Sequence, residues 1–501
     1  VLHLIVRFNE LENRYTNSSN YKITLNTILS KISPSFFAIL TTVVGFSSLV
    51  FSNIKPVINL GLMMSAGIII SLIISFVIFP TVLILLKKQK TKKQKTNFSF
   101  IDFCLNIVLK RKVAIFLGSI ILVLFSLTGS SKLIVENSFI NYFKKDTEIY
   151  KGMKIIDEKL GGTTPLDVII NFKDKTIQTK ESKQKSNNDG FDDFGSFEDE
   201  FATSKNEDQY WFTHDKLSVI KKVHNYLDSL EATGKVQSLA TILKLGKLLN
   251  DGESLDGVTL ALLYNKLPKK YKDMILTPYI NIKKNEARVT VRIEDSNPNL
   301  RRNELLNKIQ SDLSKMIEDD YTSFKLSNLM VLYNNMLQSL FDSQIKTLGF
   351  VIAIIFVMFL MIFKSIKIAI IAIVSNLVPI SIIFGIMGWL NIPLDIMTIT
   401  IAAISIGIGV DDTIHYIHRF KEEYKHDNNY EQSMKRTHKS IGYAMAYTSF
   451  VVIIGFSILV LSNLVPTIYF GLLTVIVMAT ILTSALLLLP RLLIQFKALS
   501  K

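Results

Sequence analysis

Three long runs without a charged side chain constrain this sequence more than any other feature. They cover 32–54, 56–86 and 440–490 and are 23, 31 and 51 residues long. About 20 apolar helical residues cross the hydrocarbon core of a bilayer, so each run is long enough for one or two crossings. Hydrophobic residues make up 49% of the 501 positions, too many for a string of soluble domains. The sequence therefore predicts a polytopic α-helical membrane protein.

Eight complete spans, plus the stub of a ninth at 1–8, are predicted from these runs and their flanks. The complete spans are expected at about 35–53, 57–86, 113–131, 345–363, 367–389, 395–417, 441–462 and 466–490. If they alternate across the bilayer, the loops on one side carry 24 Lys and Arg, and the short loops opposite carry only Lys55. By the positive-inside rule the basic loops and the C-terminus are cytoplasmic. The long segment 134–344 then faces outward, which means the periplasm if this is a bacterial inner-membrane protein.

The outward segment is predicted to fold as one α+β domain. Alternating apolar residues predict strands at 166–172 and 286–294, and helical spacing is found at 217–230 and 301–318. The composition turns polar and acidic at about 173–208, so a disordered insertion is expected there. Calcium binding by its Asp residues is the alternative, but the spacing of a calcium loop is lacking.

The rest of the chain divides around this domain. Residues 1–90 are expected to end a first membrane half, and 91–112 to form a basic cytoplasmic linker. A second half would follow, with its first span at 113–133 and its other five spans within 345–501. The excess of basic residues flanks these spans rather than clustering on a folded face, which argues against nucleic-acid binding.

An internal repeat supports the division into halves. Residues 45–62 match 455–472 at 11 of 18 positions, and Pro80 corresponds to Pro490 at the same offset of 410. Residues 1–8 match 413–420 at His, Ile, Arg and Phe. Parallel repeats of this kind are common in transporters. We expect that the sequence begins just after the first half's counterpart of Asp412, and that a preceding N-terminal half is missing.

A charged motif inside the sixth span is the strongest candidate site. It reads Gly-Ile-Gly-Val-Asp-Asp-Thr-Ile-His-Tyr at 407–416. Asp411 and Asp412 are expected at or inside the inner edge of the hydrocarbon, where a charge costs roughly 2.5–3.5 kcal/mol and usually serves a transport pathway. Two adjacent carboxyls cannot easily both ionise there, so one is expected to hold a proton near neutral pH. His415 lies on the same helical face and titrates in the useful range.

Neighbouring residues are given supporting roles. Gly407, Gly409 and Ser405 form a small-residue face on which another helix can pack closely, and the equivalent helix of the missing half is the expected occupant. Tyr416 is expected to be an interfacial anchor, and Asp395 to cap the span at its outer end. The plainer alternatives are solvated carboxyls at the inner interface and a His415 that is merely packed.

The motif, together with the repeated Gly-Phe-Ser…Pro hairpin, resembles the resistance-nodulation-division superfamily. The similarity is strongest to its MMPL-type lipid exporters and hopanoid exporters, which are related to sterol-sensing-domain proteins. The resemblance implies twelve spans in two halves, each with an external porter-like domain. It also implies that Asp411 and Asp412 take part in a proton relay, with partner residues on the first half.

The resulting hypothesis is a non-enzymatic exporter of lipids or other hydrophobic molecules, driven by protons. A glycine-rich phosphate loop is lacking, so ATP is not expected to drive it. Cys104 is the only cysteine, His3 and His415 are equivalent positions of the repeat, and the other histidines are scattered, so neither a metal site nor a cofactor is expected. A sterol-sensor-like regulator or scaffold, drug efflux, and assembly as a homo-oligomer remain open.

Overall fold

The computed structural model describes residues 2–15, 18–52, 54–85, 99–133, 138–173, 211–249, 253, 257–297, 299–317 and 321–499. The chain forms two compact units. The first, which we call the membrane unit, comprises Val1–Asn137, Tyr142–Lys144 and Met336–Lys501. The second, which we call the α+β unit, comprises Ser138–Asn141 and Lys145–Asn335.

Helices dominate the described chain, and the sheet lies in the α+β unit. The N-terminal part contains α1 (Leu2–Arg14), α2 (Asn20–Ser47), α3 (Lys55–Leu85), α4 (Ser99–Lys110) and α5 (Lys112–Ser130). The middle contains α6 (Glu148–Lys159), β1 (Thr164–Phe172), α7 (His214–Asp228), β2 (Thr233–Gln237), α8 (Leu239–Leu249), α9 (Gly257–Lys266), α10 (Lys269–Ile275), β3 (Ile280–Asn281), β4 (Glu286–Ile293), α11 (Arg302–Met316) and β5 (Thr322–Ser327). The C-terminal part contains α12 (Leu329–Phe363), α13 (Ile366–Trp389), α14 (Ile396–Asp427), α15 (Tyr430–Thr437), α16 (Tyr443–Ser457), α17 (Val465–Thr483) and α18 (Leu489–Gln495).

Eight helical segments of the described chain are long and apolar enough to cross a membrane, which confirms the predicted number of complete spans. Several extend well beyond the apolar runs from which they were predicted. The second helix begins at Asn20 rather than near 35, and α14 continues to Asp427 rather than ending near 417. The prediction followed hydropathy alone, whereas backbone hydrogen bonding continues through the amphipathic ends of these helices.

The expected linker at 91–112 is in part a helix. Residues 91–98 lie outside the described part of the chain, but α4 occupies most of the remainder. Ile101, Cys104 and Val108 recur at helical spacing and are at most 2% exposed, so this helix buries one face in the membrane unit. The expectation of a simple linker was therefore wrong, since the apolar residues of this segment repeat at helical spacing.

The α+β unit is built on an antiparallel sheet in the order β2-β4-β1-β5, with the short β3 also paired to β4. The inward residues of β1 alternate along the strand, and Val168 lies opposite Val289 of β4. Ile220 of α7 and Ile309 of α11 are fully buried in the same core. The succession β1-α7-β2-β4-α11-β5 in this strand order is a split βαβ arrangement.

The predicted α+β class is therefore confirmed, and all four predicted elements are present with shifted ends. The expected boundary at 344 lies inside α12, which runs on as one helix from Leu329, while this unit ends at Asn335. The expected insertion lies outside the described residues from 174 onward.

A buried carboxylate connects α6 to the end of β4. Asp157 is 0% exposed. Its oxygens accept hydrogen bonds from the backbone N–H groups of Thr163, Asp295 and Ser296 at 2.8–3.0 Å, and from the Thr163 hydroxyl at 2.6 Å. Burial by itself would raise the pKa of Asp157, but the hydrogen bonds from Ser296 and Thr163 lower it below its ordinary value.

We expect Asp157→Asn to destabilise the α+β unit by roughly 2–3 kcal/mol, because an amide offers fewer acceptor sites to these donors. Faster hydrogen exchange of the β4 amides in the full-length chain would report the loss. The wild-type stabilisation is fully present above the unfolded carboxyl pKa of about 3.9 and is lost as pH falls through the lower folded value. The variant should lack this pH dependence. Asp146→Asn, which changes an exposed carboxylate, serves as the control, and equal exchange in both variants would contradict the assignment.

Candidate functional site

The site is carried by α14, the most enclosed of the eight spans. Of the 18-residue apolar stretch of this span, 78% is buried, compared with 6% of the corresponding stretch of α3. The N-cap of the helix is Asp395, as predicted. Its carboxylate accepts hydrogen bonds from the N–H groups of Met397 and Thr398 in a capping box. The helix ends at Asn428 in a left-handed conformation with φ 52°.

The two predicted carboxyls face different surroundings. Asp412 is 6% exposed, and none of the described residues forms a hydrogen bond or ion pair with its carboxyl. Asp411 has a side chain that is 38% exposed, and its Oδ1 lies 3.2 Å from Nε2 of His415. The imidazole of His415 is buried, with 3% exposure. One carboxyl is therefore enclosed among apolar helices, while the other links a buried imidazole to a partly open surface.

A second histidine completes the cluster. The ring of His3 on α1 stacks on that of His415, with centroids 4.1 Å apart and planes 20° apart. His3 is 9% exposed, and neither of its ring nitrogens has a hydrogen-bond partner among the described residues. The two histidines correspond to each other in the internal repeat. The repeat predicts this correspondence but not the contact, although repeat equivalents often face each other across a local symmetry axis.

Reciprocal ion pairs extend this relation toward the C-terminal ends of the two helices. The guanidinium of Arg419 lies 2.6 Å from the Glu10 carboxylate, and that of Arg7 lies 3.3 Å from Glu422. Each pair joins α1 to α14, and the four residues are repeat equivalents at the offset of 412. Such reciprocity is the mark of a two-fold relation between the paired elements. The glutamates could have been found by extending the sequence repeat two residues past Phe8.

The repeat-related His3 and His415 form a cluster with Asp411, a group that the sequence did not predict as a metal site. One ligand atom each from His3, Asp411 and His415 lies within 4.8 Å of the others, near enough to share an ion. Stacked rings, however, direct their in-plane lone pairs along nearly parallel lines rather than toward one point. Zinc needs nitrogen ligands at about 2.0–2.1 Å in a tetrahedral arrangement. The geometry therefore suits proton exchange better than coordination of a metal.

The predicted small-residue face is divided between two neighbours. A Cβ on Gly407 would lie 3.3 Å from the Thr42 side chain of α2, and the Thr42 hydroxyl donates to the Gly407 carbonyl at 2.9 Å. A Cβ on Gly409 would lie 2.9 Å from Oδ1 of Asn376 on α13. The Ser405 hydroxyl donates to Ile401 of its own helix. Close packing occurs as expected, with α2 at Gly407 and with α13 at Gly409. Packing of the equivalent helix of the other half stays a prediction.

Tyr416 does not lie at an interface, and this expectation was wrong. The residue is 0% exposed, and its hydroxyl lies 2.9 Å from Nδ1 of His438. The other ring nitrogen of His438, Nε2, lies 3.0 Å from the Leu486 carbonyl, to which it can only donate, and Nδ1 also lies 3.2 Å from the Met434 carbonyl. His438 and Leu486 both lie in π-helical turns, which expose carbonyls that a regular helix would use. Hydropathy alone could not distinguish this buried position from an interfacial one.

Fold and site together define a polytopic membrane protein in which repeat-related helices bring ionisable groups together inside the bundle. Residues 283–496 match the MMPL family. This match confirms the predicted resemblance to MMPL-type proteins of the resistance-nodulation-division superfamily. Members of the family are transporters rather than enzymes.

One curated relative and two solved structures are similar to this chain. A membrane protein of Methanocaldococcus jannaschii is 35% identical over 80 residues, which cover 16% of this chain and 21% of that protein. The fold is similar to that of the hedgehog release protein Disp from the water bear Hypsibius dujardini, with a TM-score of 0.60, 11% identity, and coverage of 99% of this chain and 62% of that one. It is also similar to SecDF, a translocon-associated membrane protein from Thermus thermophilus, with a TM-score of 0.52, 9% identity, and coverage of 99% and 52%. This chain thus spans about half to three-fifths of the two solved structures.

The contact between α2 and α14 yields a test of the packing. We expect Gly407→Leu to lower the stability of the protein in detergent by about 1–3 kcal/mol, because the side chain has no room beside Thr42. Thermal unfolding followed by circular dichroism measures the change. Gly349→Leu in α12 is the matched control, since a Cβ there meets nothing within 4 Å. A loss of stability in the control equal to that of Gly407→Leu would show that close packing is not the cause.

Proposed function

We propose that the protein exports lipids or other hydrophobic molecules and is driven by the proton-motive force. The observation that carries the proposal is the enclosed carboxyl of Asp412 beside the Asp411–His415 pair. A carboxyl among apolar helices is costly when charged and far less costly when it holds a proton. Proton binding and release therefore change the packing energy of α14 more than they would at a solvated site.

The differing solvent exposure of the three clustered side chains supports a route for protons. Asp411 is the partly open group, its partner His415 is buried, and His3 stacks on that ring. Histidine exchanges protons near neutral pH more readily than other side chains. Protons entering at Asp411 could thus reach the imidazoles, and the adjacent Asp412 would respond to the change in local charge.

Coupling to the rest of the bundle is supported by the neighbours of this segment. The Asn376 amide of α13 donates to the Thr413 hydroxyl at 3.0 Å, one residue from Asp412. On another side, the Thr42 hydroxyl of α2 holds the Gly407 carbonyl. A change of charge at Asp412 therefore acts on a helix that is hydrogen-bonded to two neighbours, and rearrangement of α14 would be transmitted to both.

Energetics restrict how the cargo can travel. One proton moving through 100 mV supplies about 2.3 kcal/mol. Exposing a 14-carbon chain to water costs on the order of 11 kcal/mol at about 0.8 kcal/mol per methylene. A few protons can therefore drive the transfer only if the chain stays in apolar surroundings throughout.

The proposed setting follows from the distribution of basic residues. Basic loops on one side favour a cytoplasmic C-terminus and an outward α+β unit, in the inner membrane of a bacterium. The match to the MMPL family over 283–496 supports transport as the general activity.

The deciding experiment changes Asp411 and Asp412 together to Asn in protein reconstituted into liposomes. We expect the double variant to fold but to lose the movement of a fluorescent phospholipid to external albumin under an imposed pH gradient, together with the accompanying proton uptake. Glu431→Gln, an exposed carboxylate on α15, should leave both signals intact. Circular dichroism and gel filtration verify folding.

Three outcomes separate the candidate functions. Retained transport in the double variant would rule out the proton relay. Phospholipid binding by the wild type without proton-coupled movement would favour the sterol-sensor-like regulator. Gradient-driven movement of a water-soluble dye instead of phospholipid would favour drug efflux.

A further inference from the structure

A large crevice in the membrane unit lies apart from the proton site. Its volume is about 700 Å³, within the range of about 300–1,000 Å³ that is usual for small-molecule sites. The walls come from α4, α5, α13 and α17, with the π-helical turn that follows α17. Phe103 and Leu122 on its rim are 61% and 44% exposed, so large apolar side chains surround the opening.

The hydroxyl groups in the wall are already satisfied by protein. Ser119 donates to Ile115, and Thr480 and Thr483 donate to carbonyls of α17. The Ser484 hydroxyl donates to the carbonyl of Ser375. That carbonyl lacks its usual helical donor because Pro379 is the residue four positions later. Apart from the exposed amide of Asn106, the walls therefore present little unsatisfied hydrogen-bonding capacity and suit an apolar chain.

One end of the crevice is basic. Lys110 and Arg111 line it at the junction of α4 and α5, and both are exposed. Among the described residues that line the crevice, none is acidic. This end therefore offers two positive charges to a ligand and no competing negative charge.

Beyond the crevice, α5 and α13 are in direct contact. A Cβ on Gly129 would lie 2.2 Å from the Gly385 carbonyl oxygen, so the two backbones touch there and leave no room for a ligand. From Arg111, the N-cap of α5, to Leu122 the lining extends along this helix for about 16 Å, at roughly 1.5 Å per residue. One leaflet of hydrocarbon is about 15 Å thick, half of the roughly 30 Å core. The crevice thus has a basic end, an apolar length of about one leaflet and a closed far end.

We propose that this crevice binds one acyl chain of an anionic membrane lipid, with the acidic headgroup at Lys110 and Arg111. Charge complementarity selects the headgroup, and the satisfied walls accept the chain. Anionic lipids of the cytoplasmic leaflet attract basic residues next to membrane helices in this way. The proposal concerns binding alone and does not depend on whether the protein moves protons.

Native mass spectrometry of the full chain in detergent tests the proposal, with phosphatidylglycerol and phosphatidylcholine of identical acyl chains as probes. We expect phosphatidylglycerol to bind more tightly. Lys110→Gln with Arg111→Gln should weaken it by about 30-fold, since each such charge contributes about fivefold, and should remove the preference over phosphatidylcholine. Gly118→Leu should weaken both lipids, because a Cβ at Gly118 meets no protein atom within 4 Å and the added side chain would occupy the crevice.

Matched controls separate the site from general effects. Lys112→Gln with Lys367→Gln removes two exposed charges that do not line the crevice, and it should leave the preference unchanged. Gly67→Leu places the same side chain on α3, away from the crevice lining, where a Cβ also meets nothing within 4 Å, and it should leave the binding of both lipids unchanged. Equal binding of the two lipids by the wild type would overturn the proposal. So would a Gly118→Leu variant that binds phosphatidylglycerol as the wild type does.

Discussion

A carboxyl group that is enclosed among apolar helices is the constraint on which the rest of the membrane unit depends. Asp412 can lie there only because α14 is surrounded by other helices, with 78% of its 18-residue apolar stretch buried. Close approach at Gly407 and Gly409 brings α2 and α13 against this helix. The small residues of the motif therefore allow tight helix packing, and this packing shields the ionisable groups of the same segment from lipid.

The duplicated sequence explains how the surrounding charges are balanced. Arg7 and Glu10 on α1 correspond to Arg419 and Glu422 on α14, and each arginine pairs with the glutamate of the other helix. The same relation stacks His3 on His415. Because related helices face each other, a single sequence pattern supplies both sides of each contact. Buried or half-buried charges are then paired without a separately evolved partner.

One helix contacts both the segment that carries Asp411 and Asp412 and the crevice. Asn376 of α13 donates to Thr413 beside the carboxyl pair, while Pro379 and Ile382 of the same helix line the crevice. On the same helix, Pro379 leaves the Ser375 carbonyl without a helical donor, and this carbonyl accepts a hydrogen bond from the Ser484 hydroxyl. The proline therefore exchanges a bond within one helix for a bond between two. Movement of α13 against α14 would change the walls of the crevice as well as the surroundings of Asp412.

Hydropathy and periodicity determined much of the molecule from the sequence alone. They predicted eight spans, an α+β domain, the cap at Asp395 and the segment that carries Asp411, Asp412 and His415. These features depend on properties of neighbouring residues in the chain, since transfer to lipid and helix capping are local. The α4 helix was not predicted from the sequence. Its amphipathic pattern is short and lies next to a run of basic residues, so the segment resembles a basic linker.

Only the tertiary structure decided which helices meet. It separated the enclosed Asp412 from the partly open Asp411, brought His3 onto His415, and placed Tyr416 in the core against His438. It also formed the crevice from four separate helices. Helix-to-helix contacts in a membrane are selected by shape and hydrogen bonding, because every apolar face is equally compatible with lipid. A linear sequence records the apolar faces but not the pairing that makes one carboxyl buried and its neighbour accessible.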